Sequence, residues 1–163
     1  MEALHQHILE ILLENAQTTA AQMAVMLNAP EADVQAALDW LRAEGILMGS
    51  HALINWDKTD AQQVTALIEV KVSPQREQGF DAIASSIYQY PEVRTVYLMS
   101  GTYDLAVYVE GRTLQDVAFF VSEKLASLDA VLSTATHFML KCYKQNGVIM
   151  DKNERDPRLV VSF

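Results

Sequence analysis

Residues 96–110 read Val-Tyr-Leu-Met-Ser-Gly-Thr-Tyr-Asp-Leu-Ala-Val-Tyr-Val-Glu, two runs of β-branched, aromatic and aliphatic residues interrupted by Gly101-Thr102-Tyr103-Asp104. Such runs suit neighbouring strands, and the interruption reads as the turn of a β-hairpin. A tight reversal calls for a residue that tolerates positive φ, and Gly101 supplies that alone. Tyr103 and Asp104 are therefore surplus to the turn and candidates for contact with something else.

The residues on either side of this hairpin define its sheet. Val64 to Val72 alternates, with Ala66, Ile68, Val70 and Val72 on one face and Leu67 among Thr65, Glu69 and Lys71 on the other. Phe80, Ile83, Ala84 and Ile87 follow at helical spacing and Pro91 stops that helix. Beyond the hairpin, Thr113 with Asp116 has the look of a helix start, and Leu114, Val117, Ala118, Val121 and Leu125 form the apolar stripe behind it. Val131 to Tyr143 reads as one long final strand. The order is βαββαβ, the ferredoxin-like arrangement, in which two helices cover one face of a four-stranded antiparallel sheet. Apolar residues fall on both faces of the strands, as in Tyr97 and Met99 against Val96 and Leu98, so an oligomer formed partly through the sheets is expected.

Residues before about position 45 repeat with a helical period instead. Leu4, Ile8, Ile11 and Leu12 form one stripe, Met23, Met26 and Leu27 a second, and Val34, Leu38 and Leu41 a third. Thr19 and Gln22 have capping-box spacing, Asn28-Ala29-Pro30 separates the second helix from the third, and Gly45 closes the third. A short turn between the last two helices is the mark of a helix-turn-helix. Ile46 to Trp56 suits a small wing or an exit strand. The expected division is a helix-turn-helix domain at 1–56, a polar linker at 57–63, a βαββαβ domain at 64–143, and a tail at 144–163 that adds an edge strand, ties subunits together or lacks order. The fold class is α+β, a winged helix-turn-helix followed by a ferredoxin-like domain.

With 163 residues, 50% of them hydrophobic and 20% charged, the chain is of ordinary globular composition, and no apolar run approaches the length of a membrane helix. A cytoplasmic protein is expected, since Met1-Glu2-Ala3 does not open a signal peptide and a single cysteine, Cys142, excludes an internal disulfide framework. Cys142 lies in an apolar run and reads as a structural thiol. His5 and His7, two apart, point to different faces of a helix, so no metal site is expected. No catalytic constellation and no phosphate-cradling glycine loop stands out, and neither an enzyme nor a cofactor is expected.

A helix-turn-helix, a polar linker and a βαββαβ domain with a Gly-x-Tyr-Asp hairpin resemble the Lrp/AsnC family, the leucine-responsive or feast/famine regulators, to about residue 143. Ser100-Gly101-Thr102-Tyr103-Asp104 and Ser133-Thr134-Ala135-Thr136 carry the resemblance most strongly, with Leu41 and Gly45-Ile46-Leu47 at the end of the third helix. The resemblance implies a transcription regulator that dimerises, assembles to octamers or related rings, and binds small effectors, usually amino acids, between subunits. Carried over by position, the effector residues are Gly101, Thr102, Tyr103, Asp104, Thr134 and Thr136. On chemistry alone, Asp104 could accept the ammonium of an amino acid while hairpin amides meet its carboxylate; Thr134 and Thr136, two apart, share one face of a strand. Equally, Asp104 could cap the turn and the threonines could serve only as β-branched strand residues.

The charge runs against one part of that resemblance. The chain carries a net −9, and residues 1–58 hold only Arg42 and Lys58 as bases against Glu2, Glu10, Glu14, Glu31, Asp33, Asp39, Glu44 and Asp57, net negative by six. DNA binding depends on cations that neutralise phosphates and on side chains near the start of the recognition helix. Asp33, Gln35 and Arg42 are the candidates for contact with DNA, while Ala37 stands where the family commonly has Arg. Weak DNA binding per head is expected, offset in an oligomer by linkage of several heads. The alternative is an amino-acid sensor or assembly protein whose helical head serves contacts between proteins.

Overall fold

A computed structural model describes residues 3–61, 63–73 and 79–150, and the chain divides into two compact units, Met1–Ile54 and Asn55–Phe163. The first unit consists of α1 (Ala3–Glu14), α2 (Ala20–Leu27) and α3 (Glu31–Ala43). Its core is the meeting of their apolar stripes: Ile8 of α1, Met23 and Ala24 of α2, and Val34, Ala37, Leu38 and Leu41 of α3 are all buried.

The ends of these helices are set by local chemistry. The Thr19 hydroxyl accepts the Gln22 amide N–H at 3.3 Å while the Gln22 side-chain oxygen accepts the Thr19 N–H at 2.9 Å, so the expected capping box forms. Asn28 terminates α2 in the left-handed region, at φ 49°. Gly45, at φ 66°, then turns the chain after α3 in a conformation that costs glycine little. The segment read as a wing or exit strand behaves differently: residues 46–55 carry no strand, and a single 3-10 turn, Trp56–Lys58, follows.

The second unit contains β1 (Val64–Val72), α4 (Phe80–Tyr88), β2 (Val93–Leu98), β3 (Leu105–Gly111), α5 (Leu114–Phe119) running into a π-helical turn (Phe120–Leu125), and β4 (Val131–Phe138). The sheet order is β2-β3-β1-β4, all antiparallel, as the ferredoxin-like arrangement requires. Ala66, Ile68 and Val70 lie opposite Val109, Val107 and Leu105, and these six residues pack with Ile83 and Ile87 of α4 and Val117, Phe120 and Leu125 beneath the helices. Leu67, Tyr97 and Tyr108 take the other face, where the two tyrosine rings meet edge to face at 6.2 Å.

Two sequence expectations need correction here. The stripe expected behind Thr113 included Leu114 and Ala118, which are exposed, and omitted Phe120, which is buried. The π-helical turn explains the shift, because its wider winding brings Phe120 and Leu125, five residues apart, to the same side. The long final strand also ends early, at Phe138, and residues 144–149 fold back as a small hairpin of β5 (Lys144–Gln145) and β6 (Val148–Ile149). Asn146 and Gly147 form its turn, both with positive φ (47° and 84°), the pattern of a type I′ hairpin. The charged and apolar remainder of the tail, 151–163, lies outside the described residues.

The segment before β2 is tied to the π-helical turn by a charged contact. Lys124 Nζ donates to Glu92 Oε1 at 2.5 Å and also lies over the rings of Tyr90 and Phe120. The hydrogen bond from Lys124 outweighs the burial that opposes it and holds the Glu92 carboxyl below its ordinary value of 4.5. Because the folded carboxyl releases its proton more readily than the unfolded one, its contribution to stability is complete above that value and is lost as pH falls through the lowered one. Glu92→Gln should therefore flatten the loss of stability of the parent protein below about pH 4.5. Denaturant midpoints measured between neutral and acidic pH check this, and parallel curves for the two proteins would contradict it.

Candidate effector hairpin and DNA-reading helix

Six residues, Met99 to Asp104, connect β2 to β3. Gly101 sits at φ 148°, where a side chain is strained, and a Cβ there would meet open space. Its glycine thus answers the backbone conformation, not crowding. Ser100, Gly101 and Thr102 are exposed at the tip, and Tyr103 and Asp104 are half-buried below it.

Asp104 anchors the loop through three bonds. Its carbonyl accepts the Met99 N–H at 2.8 Å and closes the hairpin. Its own N–H donates to the Val70 carbonyl at 3.0 Å, and its Oδ2 accepts the Val72 N–H at 2.8 Å. The ladder between β1 and β3 ends at Val70 and Leu105, so the carboxylate takes over where the backbone partner runs out. The pairing with β4 also shifts at Lys71/Val72, which makes an acceptor for the Val72 amide more valuable. One carboxylate oxygen is therefore engaged within the fold, across to β1 and not within the turn that the capping reading of Asp104 had in view.

Thr134 and Thr136 are half-buried on β4, and they do share a face. Their partners across the ladder are Val70 and Ile68, whose side chains belong to the helix-covered core. The threonines consequently flank that core at the edge of the sheet, while Ser133, Ala135 and His137 take the other side, with His137 Nε2 3.4 Å from Glu69 Oε1. Val70 separates the two halves of the expected site, bonded to Asp104 on one side and paired with Thr134 on the other. Two strand spacings amount to about 10 Å, more than one amino acid's charged groups can bridge. Within a protomer, hairpin and threonines share an end of the sheet without meeting.

In the helical unit, Gln35, Asp39 and Arg42 lie along the exposed side of α3. Gln35 Nε2 and Arg42 Nη1 both donate to Asp39 Oδ1 at 3.0 Å. Arg42 is the sole Lys or Arg in residues 1–54, so the unit's one base is paired with an acid on its own helix. Asp33 is exposed in the first turn of α3, where it and Glu31 suit the positive end of the helix dipole. Ala37, by contrast, is buried among the core residues, so the position where the resemblance looks for Arg faces away from solvent here. Among the described residues no group of three or more His, Cys, Asp or Glu could hold a metal ion. No described helix is long and apolar enough to cross a membrane.

A helix-turn-helix unit joined to a ferredoxin-like unit with a projecting hairpin is the architecture of an effector-controlled transcription regulator. The family profile described as the Lrp/AsnC ligand binding domain matches residues 65–149, which extends through the β5–β6 hairpin. HTH-type transcriptional regulator YugG of Bacillus subtilis (strain 168) is 47% identical over 156 residues, covering 95% of this chain and 94% of its own length. Among solved structures, AsnC of E. coli superposes with a TM-score of 0.69 at 19% identity, over 93% of this chain and 99% of its own. A transcriptional regulator from Neisseria meningitidis, solved in complex with L-Met, superposes with a TM-score of 0.71 at 21% identity, over 89% and 93%. The chain belongs to the Lrp/AsnC family of transcription regulators.

The role of Asp104 in the sheet leads to a direct expectation. Asp104→Ala leaves the Val72 N–H without its acceptor and should destabilise the ferredoxin-like unit by about 1–2 kcal/mol. Asp104→Asn, which keeps an oxygen at that point, should recover most of the loss. Denaturant unfolding gives the energies and amide hydrogen exchange at Val72 gives the cause; slow exchange at Val72 in the alanine variant would contradict the assignment.

Proposed function

We propose that the protein is a cytoplasmic, amino-acid-responsive regulator of transcription whose effector site is completed only between protomers. The separation of Asp104 and Thr134 by the width of β1 carries the reading. In this arrangement Gly101, Thr102, Tyr103 and Asp104 of one protomer meet Thr134 and Thr136 of another. The exposed tip provides N–H and hydroxyl donors for a carboxylate, and Asp104 Oδ1 accepts the ammonium while Oδ2 holds β1. The homologue solved with L-Met supports an amino acid as the ligand class. Leu67, Tyr97 and Tyr108 on the helix-free sheet face, together with the exposure of Leu98, Leu132 and Leu140, support assembly into a homodimer and then an octamer or similar ring.

DNA is the second partner, held weakly by each head. Counterion release requires cations at the phosphates, and the helical unit presents one, already paired. Several heads fixed in one particle compensate through effective concentration when sites along the duplex match their spacing. The Arg42–Asp39 pair also favours a second reading, a sensor or assembly protein whose head has lost DNA.

Two experiments separate these outcomes. In a thermal-shift panel of the amino acids, a ligand at 100 times its dissociation constant should stabilise the protein by about 2.7 kcal/mol. Thr102→Ala should weaken that response, and a flat panel would defeat the effector reading. Selection of genomic fragments by the purified oligomer should recover specific, regularly spaced sites at low salt and fewer at physiological salt. Recovery of no specific sequence at either salt would leave the sensor reading.

A further inference from the structure

The helical unit has a second surface, remote in sequence from α3. α1, the turn after it and α2 line a shallow, open groove of about 680 Å³ to which α3 contributes no residue. Ile11, Ala21, Val25 and Met26 make it apolar, and Glu14 is the single charged residue in its lining. Packing within the unit does not account for these groups: Val25 is 83% exposed and Met26 64%, although both lie on a helix whose inner residues, Met23 and Ala24, are fully committed to the core. An eight-residue helix with no charged side chain, presenting valine and methionine to water, is costly to keep unless something covers it.

The surrounding charge selects the occupant. Glu10 and Glu14 stand four residues apart on the same face of α1, and no Lys or Arg occurs before Arg42. A second copy of the unit would bring like charges together, since each carries a net negative charge of six, and the rest of the chain adds a further net negative three. A cationic segment matches both features. A groove between two helices with a methionine in its wall accommodates an amphipathic helix well, because methionine adapts to the side chains inserted against it.

We propose that the groove between α1 and α2 binds a basic amphipathic helix of another protein, with the helix's apolar stripe on Ile11, Val25 and Met26 and its Lys or Arg residues beside Glu10 and Glu14. The site is independent of what α3 contacts, so it holds whether or not the head reads DNA. It gives the acidic head a positive role: the charge that repels phosphates recruits a cationic protein.

The test uses the full chain and a fluorescent 18-residue peptide with leucines at i, i+3, i+4 and i+7 and lysines on its flanks, read by fluorescence anisotropy. The peptide should bind, more weakly as salt rises. A Val25→Ser/Met26→Ser double variant should weaken binding by about tenfold or more, as truncating central apolar anchors does. Glu14→Gln should weaken it less and reduce its dependence on salt. Both variants alter exposed side chains, and unchanged circular dichroism shows that the helices persist. Equal binding of a scrambled peptide of the same composition, or of a version with Glu for Lys, overturns the proposal. So does parent-like binding by the double variant. Tighter peptide binding after removal of residues 151–163 would name the chain's own tail as occupant, and disulfide linking of two heads through Val25→Cys in a Cys142→Ser background would name a second copy; either result overturns it.

Discussion

The register of β1 against β3 is the constraint on which the body of the molecule depends. β1 is central, and its alternate residues from Ala66 to Val72 are the apolar floor beneath both helices. A slip of one residue would turn those four side chains out and bring Leu67, Glu69 and Lys71 in. The burial of two charged groups forbids it. Once that register is set, Val70 and Val72 arrive beside Asp104, the β2–β3 loop is drawn onto the end of β1, and Thr134 and Thr136 must face the core side. The layout of the candidate effector residues is thus a consequence of core packing.

Much of this is legible in the residues themselves where the determining chemistry is local. Thr19 with Gln22 and Thr113 with Asp116 announce helix starts because a cap involves side chains only three positions apart. The alternation in β1 and the glycine of the β2–β3 turn are equally self-contained. What escaped detection depends on partners distant in sequence. The engagement of Asp104 with Val72 spans 32 positions and has no local signature. The face taken by Thr134 follows from which neighbour β4 pairs with, and Ala37 is buried because α1 and α2 close over it. One omission had a signal: Asn146-Gly147 is a strong two-residue hairpin turn, and it lies just past the apolar run that reads as one uninterrupted strand.

Charge is distributed unevenly between the two units, with most of the excess negative charge on the smaller one. Family membership predicts a head adapted to polyanions, yet its only arginine is bound to Asp39, and the carboxylates among its described residues are exposed. Steric form and electrostatic surface are separable properties of a helix-turn-helix. The three-helix core needs only its apolar stripes, so the outer residues are free to change without disturbing the fold.

Asp104 also bears on the thermodynamics of recognition. A glycine-containing loop of six residues would ordinarily sample many shapes, and a ligand closing on it would have to overcome that freedom. Here two hydrogen bonds hold the base of the loop to the end of β1, and a third closes it between Met99 and Asp104. The base of the loop is thus held in place, while Ser100, Gly101 and Thr102 stay exposed at its tip. For an effector bound there as proposed, the anchored base reduces the ordering that binding would require of the protein.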